Sequence, residues 1–155
     1  MDIRAARTEE ADALSELALR SKGHWGYDAA FLESCRAELT VSAEDIARGG
    51  TAVAERDGLL LGFVTVTGTP PTGELAMLFV EPRAIGQGIG RALFAHAAAT
   101  ARAAGFERLE LDADPHAEPF YRAMGCERVG LSPSGSIPGR FLPRMAYRLG
   151  GVSLA

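Results

Sequence analysis

The segment that most constrains the fold is the junction between a buried strand and a long helix at residues 74–105. The apolar stretch Glu74 to Val80 ends just before Pro82, and glycines then occupy alternate positions 86, 88 and 90. Apolar residues recur beyond them at helical spacing, and Gly105 stands where the helix should end. This pattern predicts a buried strand that turns directly into an amphipathic helix packed on a sheet.

The remaining segments predict further strands and helices on both sides of this junction. A strand over residues 2–7 precedes a helix capped by Thr8, and Asp28 can cap a second helix. Asp57 and Gly58 favour a tight hairpin turn between two strands. After Gly105 the sequence predicts a strand, a short helix near Glu118 to Gly125 and two strands, with loops at Gly68 to Gly73 and Ser132 to Gly139. Pro143 in the last strand indicates an edge or a bulge.

We therefore expect one α+β domain over residues 1–155, built on a mixed, mostly antiparallel sheet of about seven strands flanked by about four helices. A chain of 155 residues that is 47% hydrophobic and 23% charged can form a sufficient core without staples. Cys35 and Cys126 lie far apart, and no further Cys or His stands at ligand spacing. We expect two reduced core thiols and no metal.

The charge balance excludes several classes of partner. The chain has 20 acidic and 16 basic residues, a net charge of −4, and no basic stripe of the kind that binds nucleic acid. It also has no apolar run long enough for a membrane span and no basic-then-apolar leader at its start. We expect a cytoplasmic protein that binds neither nucleic acid nor membrane.

The glycines of the junction are typical of an anion site. They leave backbone N–H groups uncovered at a helix N-terminus, where the helix dipole also favours negative charge, so a phosphate or pyrophosphate is the natural ligand. The dinucleotide fingerprint fails, because Arg91 or Leu93 takes the place of the third glycine, and no Gly-Lys-Ser/Thr of a P-loop follows. The alternative is that these glycines form a turn with only a structural role.

A second strand-to-helix segment follows at residues 112–126 and makes the pattern more specific. Together the two segments resemble the GNAT superfamily of acyl-CoA-dependent N-acyltransferases over nearly the whole chain. The pyrophosphate motif of that family, Gln/Arg-x-x-Gly-x-Gly/Ala, matches residues 85–90 except at Ile85. Its later motif, Asn-x-x-Ala-x-x-Phe-Tyr, matches residues 114–121 except at Asp114. Ala76 replaces a strand Glu that many members use as a base or substrate ligand.

The resemblance implies that an amine attacks the thioester of acetyl-CoA directly and that the fourth strand splays from the fifth to admit pantetheine. Backbone groups near Phe79 and Val80 would bind it and polarise the acetyl carbonyl. Tyr121 would protonate the leaving thiolate, although a tyrosine beside Phe120 is often only a core residue. The implied cofactor-binding residues are Phe79, Val80, Ile85, Gly86, Gln87, Gly88, Ile89, Gly90, Arg91, Asp114 and Ala117.

The sequence contains fewer signals for the site that would bind the acceptor amine. Family members build it partly from the connection between the first two helices, here residues 21–28, which we name the aromatic loop for His24, Trp25 and Tyr27. A hydrophobic plug is the alternative for these side chains. Arg140, next to Phe141, would suit a substrate carboxylate, although a surface role is the simpler reading. Candidates for the base are His24, His116, Glu33 and Glu74, each of which is otherwise a solvated surface group.

The leading hypothesis is therefore an N-acetyltransferase that moves an acetyl group from acetyl-CoA to a primary amine of a small molecule or peptide within a ternary complex. The alternative is a non-catalytic CoA-binding or regulatory module, which the departures at Ala76 and Ile85 keep open. Pairing into a homodimer through an edge strand also stays open.

Overall fold

The computed structural model describes residues 1–134 and 137–149, and within them the chain forms seven strands and five α-helices. The strands are β1 (Asp2–Ala5), β2 (Thr51–Arg56), β3 (Leu59–Thr69), β4 (Thr72–Val80), β5 (Arg108–Asp112), β6 (Glu127–Pro133) and β7 (Phe141–Arg148). The helices are α1 (Ala11–Gly23), α2 (Ala29–Cys35), α3 (Ala43–Ala47), α4 (Ile89–Ala103) and α5 (Glu118–Met124). The predicted α+β class and the mixed sheet of seven strands are confirmed, and α3 is the helix that the sequence analysis missed.

The strand order is β1-β2-β3-β4-β5-β7-β6, and every pair is antiparallel except β4 with β5. These two parallel strands pair over three residues, from Thr72–Glu74 to Arg108–Glu110. Past Glu74 the ladder between them ends while β4 continues to Val80. A gap therefore opens in the middle of the sheet beside the second half of β4.

Local sequence explains most of the turns. Asp57 and Gly58 both have positive φ, 53° and 80°, which is the geometry of a two-residue hairpin and confirms that prediction. The carboxylate of Asp28 accepts a hydrogen bond from the backbone N–H of Phe31 at 2.8 Å and caps α2 as expected. The expected cap at Thr8 is wrong, because Thr8 lies inside a short 3₁₀ turn that precedes α1.

Helices cover both faces of the sheet. Helices α1, α2 and α3 pack on one face against Val53 and Phe63, and α4 and α5 pack on the other against Val64 and neighbouring residues. Cys35 lies in the first core and Cys126 in the second. Both thiols are buried and unpaired, as predicted. No helix in the described ranges is long and apolar enough to cross a membrane.

The C-terminal strands correct two expectations. β7 lies between β5 and β6, so Pro143 is not in an edge strand; the bulge is at Val129 of β6, because Arg128 faces Met145 and Gly130 faces Arg144. The end strands of the sheet are β1 and β6. The loop expected at Gly68 to Gly73 is a tight turn, since the ladder reaches the pair Thr69 and Thr72. Of the other expected loop, residues 135 and 136 lie outside the described residues.

Candidate active site

A cavity of about 850 Å³ follows the gap between β4 and β5. It extends from the start of α4, past the second half of β4 and the first turn of α5, to the aromatic loop between α1 and α2. Ligand pockets typically measure roughly 300 to 1,000 Å³. The volume of the cavity therefore lies within the range of ligand-binding pockets.

Backbone donors line one end of the cavity at the N-terminus of α4. Gly86 and Gly88 have φ values of 90° and 82°, a region that side-chain-bearing residues rarely adopt, and no atom lies within 4 Å of a Cβ placed on either. Within the described ranges, no carbonyl accepts the N–H groups of Gly88, Ile89, Gly90 and Arg91. Four donors at the positive end of a helix of 15 residues form a candidate anion site.

The edge of β4 supplies further donors in the middle of the cavity. The N–H of Glu81 donates to the carbonyl of Leu61 on β3 at 2.8 Å. Backbone groups alternate between the two edges of an antiparallel strand, so Phe79 also pairs toward β3, while Leu78 and Val80 direct theirs toward the gap. Phe79 lines the cavity, but the free backbone edge belongs to Leu78 and Val80, and Leu78 was not among the expected residues.

A β-bulge at Ala76 lies just before this free edge. Thr65 of β3 faces Met77 and Val66 faces Leu75, so Ala76 is an extra residue in β4. The bulge bends the strand next to the point where its ladder with β5 ends. It carries a methyl group where the resemblance expects a carboxylate, so Ala76 offers no side chain that accepts a proton.

Tyr121 lies in the first turns of α5 and lines the cavity with its side chain largely buried. Its ring packs against Phe94 and Phe120 in edge-to-face geometry. No hydrogen-bond partner for the hydroxyl is found in the described part of the chain, although the cavity gives it access to a ligand. Burial raises the pKa of Tyr121 well above its ordinary value, so the phenol stays protonated.

A cluster of side chains around Asp114 closes the other end of the cavity. Lys22 Nζ lies 2.6 Å from Asp114 Oδ2, and the Tyr27 hydroxyl donates to the same oxygen at 2.9 Å. His116 places Nδ1 at 2.9 Å and its backbone N–H at 2.8 Å from Asp114 Oδ1. Partial burial alone would raise the pKa of Asp114, but the hydrogen bonds from Lys22 and His116 outweigh it and lower the pKa to about 2. The carboxylate is therefore ionised at neutral pH.

The aromatic loop reaches this cluster through Trp25 and Tyr27. The indole of Trp25 stacks on the His116 ring, with centroids 5.3 Å apart and planes 9° apart, and Trp25 remains 44% exposed. A side chain this exposed is not a core plug. His24 contacts the edge of Trp25 and does not line the cavity. Arg140 is already engaged, because its guanidinium donates to the Tyr27 hydroxyl at 3.2 Å.

A second cluster of charged side chains lies on strands β4, β5 and β7. Arg144 binds the carboxylate of Glu74 through two hydrogen bonds of 2.6 and 2.8 Å. It also contacts Asp112 at 3.1 Å and Glu110 at 3.2 Å. Glu74 and Asp112 line the cavity, as does Glu38. Sequence analysis missed Arg144 because its partners belong to other strands.

Some of the residues that the sequence analysis expected at the site line the cavity, and others do not. Glu33 pairs with Arg36 and lies away from it, and the side chain of Gln87 accepts from Arg56 at 3.0 Å instead of facing the ligand space. Of the three aromatic-loop residues, Trp25 lines the cavity directly. Most of the expected cofactor-binding residues do so too, namely Phe79, Val80, Ile85, Gly86, Gly88, Ile89, Gly90, Arg91, Asp114 and Ala117.

A candidate anion site at a helix start, a strand edge freed by splaying and a buried tyrosine lie along one cavity, an arrangement suited to acyl transfer. A model of the acetyltransferase (GNAT) family matches residues 12–126, so the chain belongs to that family. No curated protein matches the sequence at a significant level. Among the described residues no group of three or more His, Cys, Asp or Glu could hold a metal ion.

Several solved structures share the fold. A PaiA N-acetyltransferase from Thermoplasma acidophilum in complex with coenzyme A is 22% identical, with 95% of this chain and 98% of that chain covered and a TM-score of 0.78. An aminoglycoside 6'-N-acetyltransferase complexed with coenzyme A is 19% identical, with 99% of each chain covered and a TM-score of 0.72. The ribosomal-protein-S18-alanine N-acetyltransferase from Escherichia coli is 17% identical, with 98% and 96% covered and a TM-score of 0.73.

Proposed function

We propose that this chain is an N-acetyltransferase that moves an acetyl group from acetyl-CoA to a primary amine by direct attack within a ternary complex. The observation that carries the proposal is one continuous cavity that joins the anion site at the start of α4, the free edge of β4 and the end lined by Glu38, Glu74 and Asp112, which we name the acceptor pocket. One ligand can thus contact the first two features while a second molecule occupies the third.

The residues present fit acetyl-CoA, which supplies an activated acetyl thioester when bound. The N–H groups from Gly88 to Arg91 bind its diphosphate, because they are unpaired in the described chain and lie at the positive end of α4. The backbone edge at Leu78 and Val80 holds the extended arm in place of a neighbouring strand. An N–H on this edge also polarises the acetyl carbonyl.

Tyr121 donates a proton or a hydrogen bond to the sulfur that leaves. Its hydroxyl has no competing partner among the described residues, and the raised pKa keeps it protonated at every pH at which the protein would work. A phenol with a raised pKa is a weak acid, so much of its effect is a hydrogen bond that strengthens as negative charge develops on sulfur.

The acceptor pocket favours a cationic amine. Glu38, Glu74 and Asp112 line this end of the cavity, and the nearby cations are already paired: Lys22 with Asp114, and Arg144 with three carboxylates. Arg144 is shared among Glu74, Glu110 and Asp112, so the carboxylates outnumber that cation. Lys22 and Arg140 instead share the single carboxylate of Asp114, at 2.6 and 4.0 Å. We infer an acceptor with one or more ammonium groups that bind at Glu38, Glu74 and Asp112.

The test is a steady-state assay with acetyl-CoA, a thiol reagent that detects free CoA, and matched sets of amines. Diamines and amino sugars should release CoA faster than amino acids of similar size. Tight CoA binding by calorimetry with no amine-dependent release of CoA across the panel would instead favour the non-catalytic CoA-binding module.

A further inference from the structure

We propose that His116 is the general base that deprotonates the acceptor amine, with Asp114 as the residue that positions it. The proposal rests on the proposed N-acetyltransferase function. His116 lines the cavity on the acceptor side, two residues after Asp114 at the end of β5. Its side chain is 43% exposed, so a proton taken from the substrate can pass on to solvent.

The contact with Asp114 fixes which ring nitrogen is basic. His116 Nδ1 lies 2.9 Å from Asp114 Oδ1, and an ionised carboxylate can only accept a hydrogen bond. Nδ1 of the neutral ring therefore carries the hydrogen, and Nε2 carries the lone pair. No hydrogen bond occupies Nε2 in the described part of the chain, so it is free to accept a proton from a substrate.

Two further contacts hold the ring. The backbone N–H of His116 donates to Asp114 at 2.8 Å, and the indole of Trp25 lies flat against the imidazole. Tyr27 faces the same nitrogen with its hydroxyl 3.2 Å from Nδ1, which leaves Nε2 clear. The ring thus has a defined plane and a defined tautomer before any substrate binds.

The charged groups near the imidazole of His116 come from four parts of the chain. Asp114 lies on its own loop, Lys22 on α1 and Arg140 just before β7, and both cations approach the carboxylate of Asp114 at 2.6 and 4.0 Å. Glu74 and Asp112 line the cavity from the sheet. Such carboxylates attract the ammonium form of the acceptor, so a base is needed to remove its proton in place.

The proton balance is simple. The alkylammonium gives one proton to Nε2 of His116, which returns it to solvent, and the neutral amine attacks the acetyl carbon. A C–N bond forms and the C–S bond breaks. The second proton that the nitrogen loses balances the proton that the sulfur gains. The net products are the acetamide, free CoA and one proton.

The kinetic test uses His116→Gln and acceptors of different basicity. An alkylamine, whose ammonium pKa is about 10, needs the base, so kcat/KM should fall about 100-fold or more. An arylamine or hydrazide is already unprotonated at neutral pH, so its kcat/KM should change less than about threefold, as no proton has to be removed before attack. Equal losses with both acceptors would overturn the assignment, since a structural defect does not depend on acceptor basicity.

The control is His96→Gln on α4, whose side chain does not line the cavity, and it should match wild type with both acceptors. A second readout needs no acceptor. Long-range ¹⁵N spectra of labelled protein at pH 8 should show His116 as the tautomer with hydrogen on Nδ1. Hydrogen on Nε2 would overturn the proposal even if acetyl transfer were established, and wild-type transfer with an inert His116→Gln change would do the same while leaving the proposed function intact.

Discussion

Asp114 occupies a position where the resemblance expects an asparagine, and its carboxylate binds Lys22 and Tyr27 from the other side of the cavity. The aromatic loop defined from the sequence contains both Lys22, the one lysine of the chain, and Tyr27. The sequence could not pair them with Asp114, because Lys22 and Asp114 are 92 positions apart and only the fold brings them together. Motifs therefore located the residues, whereas their contacts depend on tertiary packing.

Lys22→Met should destabilise the protein in a pH-dependent way. The folded-state pKa of Asp114 is about 2, below its ordinary value of 3.8, so the stabilisation is present above the ordinary value and is lost as pH falls toward 2. We expect a loss of about 1.5 to 3 kcal/mol at pH 7, typical of a hydrogen bond to a charged group. Urea unfolding from pH 7 to pH 2 measures it. Lys22→Arg is the control, and a constant difference across that range would contradict the assignment.

Tyr121→Phe removes one hydroxyl and leaves the packing against Phe94 and Phe120 in place. We expect kcat to fall about 10- to 100-fold, near the lower end of general acid effects, because a thiolate is a fair leaving group unaided. CoA affinity should stay unchanged, since the interaction forms mainly in the transition state. Steady-state rates at saturating acetyl-CoA measure the effect. Unchanged kcat, with chemistry shown to limit turnover, would exclude Tyr121 as donor.

At the scale of elements, the start of α4 was predictable because its signals are local. Gly86 and Gly88 carry the positive φ that the turn requires, and Gly105 ends the helix with a φ of 96°. Helix α3 was missed although it has a local signal as well: Ser42 and Asp45 form a capping box. With five residues the helix is too short for a hydrophobic period to show.

Gly88→Val should weaken CoA binding at least tenfold, which corresponds to about 1.4 kcal/mol of binding free energy. A β-branched residue is strained at a φ of 82°, and its side chain would enter the anion site. Gly49→Val is the matched control: Gly49 has a φ of 85° and equally open space, but lies after α3 and away from the cavity. Calorimetry with CoA compares the two. Equal affinities in folded Gly88→Val and Gly49→Val proteins would remove the glycine loop as the diphosphate site.

The aromatic loop is expected to select the acceptor. Trp25→Ala removes a half-exposed ring that lines the cavity and stacks on His116, so the KM of the amine should rise about tenfold or more while CoA affinity stays nearly constant. Separate titrations of amine and acetyl-CoA measure the two effects. Normal kinetics accompanied by a large loss of thermal stability would mean that Trp25 only supports the fold.

At the scale of the whole molecule, the positions of the strands along the sequence were predictable, but their order in the sheet was not. Alternation and turn residues locate strands, but β7 inserts between β5 and β6 through long-range pairing that no local pattern encodes. The position of Pro143 is one result: the ladder between β5 and β7 ends at the pair Asp112 and Arg144, one residue before it, so the N–H that proline lacks breaks no bond of that ladder. Its carbonyl still accepts a hydrogen bond from the N–H of Ala113. The splay of β4 from β5 entered through the family resemblance and appears in the ladder that ends at Glu74.

That short ladder also divides the sheet into two leaves, β1 to β4 and β5 to β7, which share three paired residues along their seam. A ligand that lies along the free edge of β4 and contacts α5 across the seam acts as a removable cross-link between the leaves. Amide exchange in β4 and β5 should therefore slow together when CoA is added, and by more than in β1 and β2. Bound acetyl-CoA would then stabilise the sheet across the gap between β4 and β5, and each release of CoA would remove that stabilisation.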